Sequence, residues 1–161
     1  MKKIVVLGVG PVGRAIAIDL AKSYEITAVD INHSNLERLN GFDHIKTILT
    51  DISEDGEVQK IVKDCDLVIG ALPGYMGYET VKQSILAGKN IIDTSFFRED
   101  PFELDELARK NNVIVIIDAG VAPGMGNLML GYHNTRMEIS SYKCYGGGLP
   151  FKREWPFEYK A

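Results

Sequence analysis

The sequence is poor in the residue types that build disulfide frameworks and metal sites. Its 161 residues include two cysteines, Cys65 and Cys144, and three histidines. Neither set has the spacing of a metal site or of a secreted disulfide scaffold. The chain also lacks an apolar run of about 20 residues, the length that a membrane-spanning helix requires. These absences predict a cytoplasmic protein with no metal site and no membrane contact.

The sequence also lacks an excess of positive charge. Eighteen basic residues stand against 22 acidic ones, which gives a net charge of −4. Proteins that bind a nucleic-acid backbone or an anionic membrane carry a basic patch, so both classes of partner are excluded. No Ser-His-Asp or Cys-His constellation is evident, and no catalytic residue is assigned. The sequence therefore predicts a small-molecule partner and chemistry supplied by a cofactor.

What the chain does contain is a regular alternation of short apolar runs with helix-patterned segments. The apolar runs lie at residues 4–7, 26–29, 45–49, 67–71, 91–92 and 113–117. They lack alternation between apolar and polar residues, which is typical of parallel strands covered by helices on both faces. The helical segments lie at residues 12–20, 34–39, 58–62, 78–87 and 101–111. This pattern predicts an α/β fold of the Rossmann type, with a doubly wound parallel sheet.

The end of the chain departs from this alternation. A loop rich in Gly and Pro at residues 119–126 precedes a predicted short helix at 127–132 and a predicted strand at 139–145, which Gly146-Gly147-Gly148-Leu149-Pro150 interrupts. Residues 151–161 include four aromatic side chains and have no periodicity, which indicates a homo-oligomer or contact with a missing C-terminal domain. We therefore expect a Rossmann domain over residues 1–135 and the start of a second, truncated domain over residues 136–161.

The most specific motif is Gly8-Val9-Gly10-Pro11-Val12-Gly13, between the first predicted strand and the first predicted helix. In a dinucleotide site the first glycine permits the tight turn, and the second lets the backbone approach the pyrophosphate. The third lets the helix pack closely on the strand. The phosphates bind to free N–H groups at the helix N-terminus, where the peptide dipoles favour negative charge.

An acidic residue, Asp30, ends the second predicted strand twenty residues after Gly10. An acid at this place accepts hydrogen bonds from the adenosine ribose and repels a 2′-phosphate, which favours NAD over NADP. Ile31 and Asn32 supply no arginine for that phosphate, although Arg38 lies further along the chain. A solvated acid at the strand end is the alternative interpretation of Asp30.

Other candidate residues follow the later strands. Asp51 and Ile52 are placed to border the adenine, although Asp51 is equally consistent with a helix-capping acid. Asp93-Thr94-Ser95 either faces the nicotinamide or substrate or forms a satisfied turn, and Asp118 ends the sixth strand similarly. The predicted cofactor contacts are Gly8, Gly10, Pro11, Val12, Gly13, Asp30, Ile31, Asp51, Ile52, Ala71, Leu72, Pro73, Val121 and Ala122.

These motifs occur in one order along the chain: Gly8 to Gly13, Asp30, Ala71-Leu72-Pro73, Asp93-Thr94-Ser95, Gly120-Val121-Ala122-Pro123-Gly124-Met125 and Gly146-Gly147-Gly148-Leu149-Pro150. In that order the sequence resembles the saccharopine dehydrogenase family, in particular its lysine 6-dehydrogenase-like members. The resemblance implies an enzyme that uses NAD or NADP to oxidise a C–N bond of an amino acid. It also implies that residues 120–126 lie beside the nicotinamide. The domain over residues 1–135 is then the dinucleotide-binding domain, and residues 136–161 are the start of a truncated substrate or dimerisation domain. Ala122 stands where saccharopine-forming relatives have an acid.

The leading hypothesis is an NAD-linked oxidoreductase of the saccharopine or lysine dehydrogenase type, with this chain as its nucleotide-binding part. The alternative is a non-catalytic nucleotide-sensing Rossmann domain that regulates a transporter, because its first thirty residues would look the same. The loops at 120–126 and 146–150 favour the enzyme, since a sensor has no need of them. A further hypothesis is that the isolated chain binds cofactor without turnover, because hydride transfer needs the substrate to be oriented.

Overall fold

A single parallel sheet of six strands organises the chain in the computed structural model, which describes residues 1–145. The strands are β1 (Lys3–Leu7), β2 (Glu25–Asp30), β3 (Ile45–Leu49), β4 (Leu67–Gly70), β5 (Ile91–Asp93) and β6 (Val115–Ile116). Their order across the sheet is β3-β2-β1-β4-β5-β6, and every pair is parallel. This is the Rossmann order predicted from the alternation of apolar runs.

Helices connect the strands. They are α1 (Pro11–Leu20), α2 (His33–Glu37), α3 (Glu57–Val62), α4 (Gly74–Leu86), α5 (Asp105–Asn111) and α6 (Met125–Asn134). A 3-10 turn, Pro101–Leu104, precedes α5 and is capped by the side chain of Asp100. The predicted helix over residues 101–111 is therefore present, with a 3-10 first turn. The helix predicted from residue 78 begins earlier, at Gly74.

Two apolar cores lie on the two faces of the sheet. On one face Val5 and Leu7 of β1 pack in a cluster with residues of α3 and α4, including Val62 and Val81. On the other face Ile4 and Val6 join a cluster with residues of α1 and α2, including Ala17. Because successive side chains of a strand point to opposite faces, an apolar strand is buried on both sides only when helices cover both.

The strand predicted over residues 139–145 is wrong. These residues form neither a helix nor a strand. A strand needs a neighbour with which to exchange backbone hydrogen bonds, and β-forming residues alone do not supply one. The segment instead contacts α6 with its side chains: a Cβ on Gly126 would meet the hydroxyl of Tyr142 at 2.5 Å and the sulfur of Cys144 at 3.2 Å.

The chain divides into two compact units. The first, Met1–Asp118, contains the whole sheet, and the second begins at Ala119 and contains α6, none of whose residues is buried. The predicted domain boundary after residue 135 stays a prediction. The predicted break at Gly146-Gly147-Gly148-Leu149-Pro150 and the aromatic segment at 151–161 lie outside the described residues.

Candidate nucleotide-binding site

The carboxyl ends of the strands bring most of the predicted site residues to one edge of the sheet. Gly8 follows β1, Asp30 ends β2, Ala71 follows β4, and Asp93 ends β5. In the sheet, β2 pairs with one side of β1 and β4 pairs with the other side. The connections that follow β1 and β4 therefore diverge, and a crevice opens between these two turns. In open α/β sheets ligands bind at this switch point.

The turn after β1 requires glycine at its first position. Gly8 has a φ of +84°, in the left-handed region that side chains disfavour. Its N–H donates to the carbonyl oxygen of Val29, at 2.8 Å, which ties the turn to β2. A Cβ on Gly8 would stand 2.7 Å from the carbonyl oxygen of Ala71, so the turns after β1 and β4 approach each other closely.

The other two glycines of the motif have contrasting surroundings. A Cβ on Gly13 would overlap the backbone oxygen of Gly8 and lie 3.1 Å from the Cβ of Ala71. A Cβ on Gly10 would meet nothing within 4 Å. Gly13 therefore serves the packing of α1 on the strand turn, whereas Gly10 leaves its backbone open to the crevice. These are the roles that the motif predicts for its third and second glycines.

The N-terminus of α1 fits a diphosphate. Gly10 is its N-cap and provides no side-chain cap, Pro11 occupies the first position, and the first turn contains no acidic residue. The first N–H groups of a helix have no partner within the helix, and the helix dipole favours an anion there. Free backbone N–H groups at a helix N-terminus, next to a glycine with open space at its Cα, provide the geometry that phosphate groups require.

Asp30 is turned toward the protein's own donors. Its Oδ2 accepts from the backbone N–H of Val9, at 2.9 Å, and from Nδ2 of Asn35, at 3.1 Å. Its Oδ1 accepts from the backbone N–H of Asn32, at 2.8 Å. Asp30 thus braces the glycine turn against the turn that begins α2, and both of its oxygens already accept hydrogen bonds.

Replacing Asp30 with alanine is expected to lower the free energy of unfolding by about 1–3 kcal/mol, because the buried N–H of Val9 then loses its acceptor. Urea denaturation followed by circular dichroism measures the change. The matched control is Asp19→Asn, since Asp19 makes an exposed ion pair with Lys22 that contributes little. Equal stability of the Asp30→Ala protein and the wild type would contradict the bracing role.

The loop after β3 carries two of the predicted adenine contacts. Oδ1 of Asp51 accepts from both the N–H and the hydroxyl of Ser53, at 2.9 and 2.7 Å, and these bonds lower the pKa of Asp51. Ile52 is half-buried and packs against the core, whereas Ile31 is exposed. Asp51 therefore caps the turn at Ser53 and no helix, because α3 begins at Glu57 with Gly56 as its N-cap, and the helix-capping interpretation of Asp51 is wrong. The adenine contacts stay predictions.

The segment after β4 forms the other wall of the crevice. The N–H of Ala71 donates to the carbonyl of Leu7, at 2.9 Å, and extends the ladder between β4 and β1. Leu72 packs against the core, and Pro73 is the N-cap of α4. The contact of this segment with a cofactor stays a prediction.

The polar residues at the end of β5 and just after it form hydrogen bonds with one another and with β4. The N–H and the hydroxyl of Thr94 both donate to the carbonyl of Gly70, at 2.9 and 3.0 Å. Asp93 is fully buried, and its Oδ1 accepts from the N–H of Ser95 at 2.8 Å and from the Ser95 hydroxyl. Burial raises the pKa of Asp93 to about 6; the Ser95 hydrogen bonds lower it, and the nearby Asp118 carboxylate raises it further.

Three glycines beside this segment were not among the predicted cofactor contacts. Gly70 ends β4, and Gly74 and Gly77 lie in the first turns of α4. A Cβ on any of them would overlap an atom of residues 93–97. The signal in the sequence that could have identified these glycines is their spacing of four and three residues, because it places Gly74 and Gly77 on one helix face.

The loop of residues 119–126 belongs to the second unit. Within it the N–H of Met125 donates to the carbonyl of Gly120, at 2.9 Å, and Gly120 and Gly124 form an isolated bridge. Val121 and Ala122 are exposed. The predicted contact of these two residues with the nicotinamide stays a prediction.

A cavity of about 500 Å³ lies at the opposite edge of the sheet, beside the amino ends of β1, β2 and β3. It includes Lys3, Glu25 and Cys65 in its lining, and none of the predicted cofactor contacts. A nucleotide binds at the carboxyl ends of parallel strands, so this cavity does not compete with the crevice as the nucleotide site. Within residues 1–145 no helix is long and apolar enough to cross a membrane, and no group of three His, Cys, Asp or Glu side chains could hold a metal.

Comparison with known proteins identifies relatives of this chain. The family model described as "Saccharopine dehydrogenase NADP binding domain" matches residues 4–116. Saccharopine dehydrogenase (NADP+, L-glutamate-forming) of Schizosaccharomyces pombe is 31% identical over 117 residues, covering 70% of this chain. The enzyme of the same name from Saccharomyces cerevisiae is 26% identical over 156 residues, covering 92% of this chain.

A solved structure has the same fold. Apo saccharopine dehydrogenase (L-Glu forming) from Saccharomyces cerevisiae superposes with a TM-score of 0.72 over 83% of this chain, at 24% identity. The chain spans 30% of that structure's length, and 26% and 35% of the two curated relatives.

The prediction of NAD as the preferred cofactor is wrong. The matching family model describes an NADP binding domain, and the relatives are named as NADP+ enzymes. The prediction treated Asp30 as a carboxylate directed at the ribose, where it would repel a 2′-phosphate. In the structure the carboxylate is held by Val9, Asn32 and Asn35, so an acid at the end of β2 does not by itself select NAD.

Proposed function

The chain belongs to the family of the saccharopine dehydrogenase NADP binding domain, and from this premise we propose that it binds NADP(H). We further propose that it is the nucleotide-binding part of an oxidoreductase acting on a C–N bond of an amino acid. The observation that carries the proposal is the open backbone at Gly10, where the uncapped N-terminus of α1 meets the crevice between β1 and β4.

Each part of the crevice has a role in this proposal. The first amides of α1 bind the diphosphate, and the close approach of Gly8 and Gly13 holds that helix end in place. The turns after β4 and β5 lie on the other side of β1 and border the nicotinamide half. The bound nucleotide supplies the hydride acceptor for oxidation of the C–N bond, and the chain orients it.

The 2′-phosphate needs a cationic partner close to the end of β2. Arg38 is the C-cap of α2, the helix that follows β2, and it is exposed. An arginine near the end of the second strand accommodates the 2′-phosphate in dinucleotide folds. Because the Asp30 oxygens are already hydrogen-bonded, we assign the contact with this phosphate to Arg38.

Substrate recognition belongs to the whole protein. The relatives named as saccharopine dehydrogenases are about three to four times as long as the region that matches, since the chain spans 26% and 35% of their lengths. We propose that an amino-acid substrate meets the nicotinamide at the carboxyl edge of β4 and β5. Additional protein surface then completes the substrate site, supplied by a further domain or by a second subunit.

Titration of the protein with NADPH and NADH, followed by nucleotide fluorescence, tests the proposal. NADPH is expected to bind at least about tenfold more tightly than NADH, because an arginine pairing with a phosphate forms charge-assisted hydrogen bonds. The Arg38→Ala variant is expected to lose that difference by weakening NADPH binding while NADH binding is unchanged.

The matched control is Arg109→Ala, since Arg109 is exposed on α5 and pairs with Asp105. It should bind both nucleotides as the wild type does. Absence of saturable binding of either nucleotide would overturn the proposal. An undiminished NADPH preference in Arg38→Ala would overturn the assignment of Arg38 alone.

A further inference from the structure

A buried carboxylate lies at the crevice without a role in nucleotide binding. Asp93 ends β5 in register with Gly70 of β4, and its side chain has no solvent exposure. Its Oδ1 accepts two hydrogen bonds from Ser95, whereas its Oδ2 is buried with no hydrogen-bond partner. A buried oxygen without a partner is costly, and natural proteins keep few of them.

The surrounding backbone is built to admit this carboxylate. A Cβ on Gly70 would overlap Oδ2 of Asp93, and a Cβ on Gly77 would overlap the hydroxyl oxygen of Ser95. A Cβ on Gly74 would overlap the carbonyl oxygen of Phe96. Three glycines on β4 and α4 therefore form a slot, and residues 93–96 fill it.

This slot connects the carboxylate to the crevice. Thr94 donates twice to the carbonyl of Gly70, the residue immediately before the β4 turn that walls the crevice. Phe97 packs edge to face on Tyr78 of α4, with ring centroids 5.8 Å apart. Residues 94–97, which Asp93 holds through Ser95, thus contact both the end of β4 and α4.

The strength of the Asp93–Ser95 contact depends on charge. Hydrogen bonds to an ionised acceptor are roughly twice as strong as neutral ones. Among the described residues, the charged group that raises the pKa of Asp93 is the carboxylate of Asp118, which follows β6. The glycines of β4 and α4 beside Asp93 have no charged side chain. Near pH 6 the carboxyl group therefore passes between a form that binds Ser95 strongly and a form that binds it weakly.

We propose that Asp93 is a positioning residue whose ionised carboxylate fastens residues 94–97 to α4 and so sets the nicotinamide end of the crevice, and whose protonation loosens that end. The proposal rests on the proposed nucleotide-binding function. It assigns Asp93 no contact with substrate or cofactor, because the side chain is fully buried.

Nuclear magnetic resonance of the ligand-free protein tests the switch itself. The Asp93 carboxyl carbon and the Ser95 amide proton should titrate together, with a midpoint near pH 6. Ser95→Ala should raise the midpoint of Asp93, since it removes the hydroxyl that donates to the carboxylate. Asp118→Asn should lower it, since it removes a like charge. A Ser95 amide that does not follow Asp93, or shifts of the two midpoints in the same direction, would overturn the proposal.

Nucleotide affinity tests the coupling to the crevice. The NADPH affinity of the wild type divided by that of Asp93→Asn should fall about threefold from pH 7.5 to pH 5.5, because only the wild type loses its charged acceptor. Taking this ratio cancels the titration of the nucleotide phosphate. A ratio independent of pH, with NADPH bound, would overturn the positioning role. Failure of all variants to bind NADPH would overturn the proposed function, while the ligand-free titration would still decide whether the switch exists.

Discussion

Replacing Gly13 with alanine is expected to lower the free energy of unfolding by at least about 3 kcal/mol, a loss at the extreme of single substitutions. The added Cβ would overlap the backbone oxygen of Gly8 and press on the Cβ of Ala71, at 3.1 Å. Neither neighbour is the end of a flexible side chain. The overlap is relieved only by moving α1 away from the turns after β1 and β4, which opens the apolar contacts beneath the helix.

The matched control is Gly10→Ala, three residues earlier in the same motif. Its Cβ would meet no atom within 4 Å, and the φ of −59° is one that alanine adopts. Its unfolding free energy should stay within about 0.5 kcal/mol of the wild type. Its affinity for NADPH should fall at least about tenfold, because the methyl group would occupy the backbone surface that receives the diphosphate.

Urea denaturation and NADPH titration of both variants separate the two roles. The expected pattern is loss of stability in Gly13→Ala and loss of binding with retained stability in Gly10→Ala. Similar destabilisation by both substitutions would show that the motif serves packing alone. Unchanged NADPH binding by a folded Gly10→Ala protein would contradict the placement of the diphosphate.

The sheet was predictable because burial on two faces leaves a simple pattern. Residues 4–7 and 67–71 are apolar without alternation, and such runs occur where helices cover both sides of a strand. The Rossmann fold followed from the alternation of strands and helices together with the motif of Gly8 to Gly13 between the first strand and the first helix. Local sequence and overall fold agree in this half of the chain.

The errors arose where tertiary contacts overrode local preference. Residues 139–145 have β-forming side chains, but they pair with no strand, and Tyr142 and Cys144 lie against Gly126 of α6. The start of α4 was placed late because Gly74 and Gly77 are poor helix formers. They are present because any Cβ there would overlap residues 95–97, which a sequence alone does not reveal.

The placement of the candidate residues at the carboxyl ends of the strands was predictable, and their chemistry was less so. Asp30 was correctly placed at the end of β2, but its preference for NAD was inferred without knowing its hydrogen-bond partners. Val9 and Asn32 belong to the two turns that Asp30 joins, and the N–H of Val9 needs an acceptor because Val9 is buried. Which donor a carboxylate serves is a property of the folded backbone.

The contribution of Asp93 to stability is expected to change with pH in the opposite direction to that of an acid whose pKa the fold lowers. Burial raises its pKa in the folded protein to about 6, whereas the ordinary value of 3.8 applies when the chain is unfolded. Between these values the folded state binds more protons than the unfolded state. Stability therefore falls as the pH rises through this interval, by about 3 kcal/mol in total for this one group.

The comparison of wild type with Asp93→Asn isolates that contribution. Asparagine carries no charge, so the unfolding free energy of the variant minus that of the wild type should increase by about 2.5 kcal/mol from pH 4 to pH 7.5. Urea denaturation at several pH values measures this difference. The control Asp19→Asn removes an exposed acid and should give a nearly flat difference. A flat difference for Asp93→Asn would mean that Asp93 ionises in the fold as freely as in water, and one that decreases with pH would mean that the fold favours its ionised form; either would contradict the prediction.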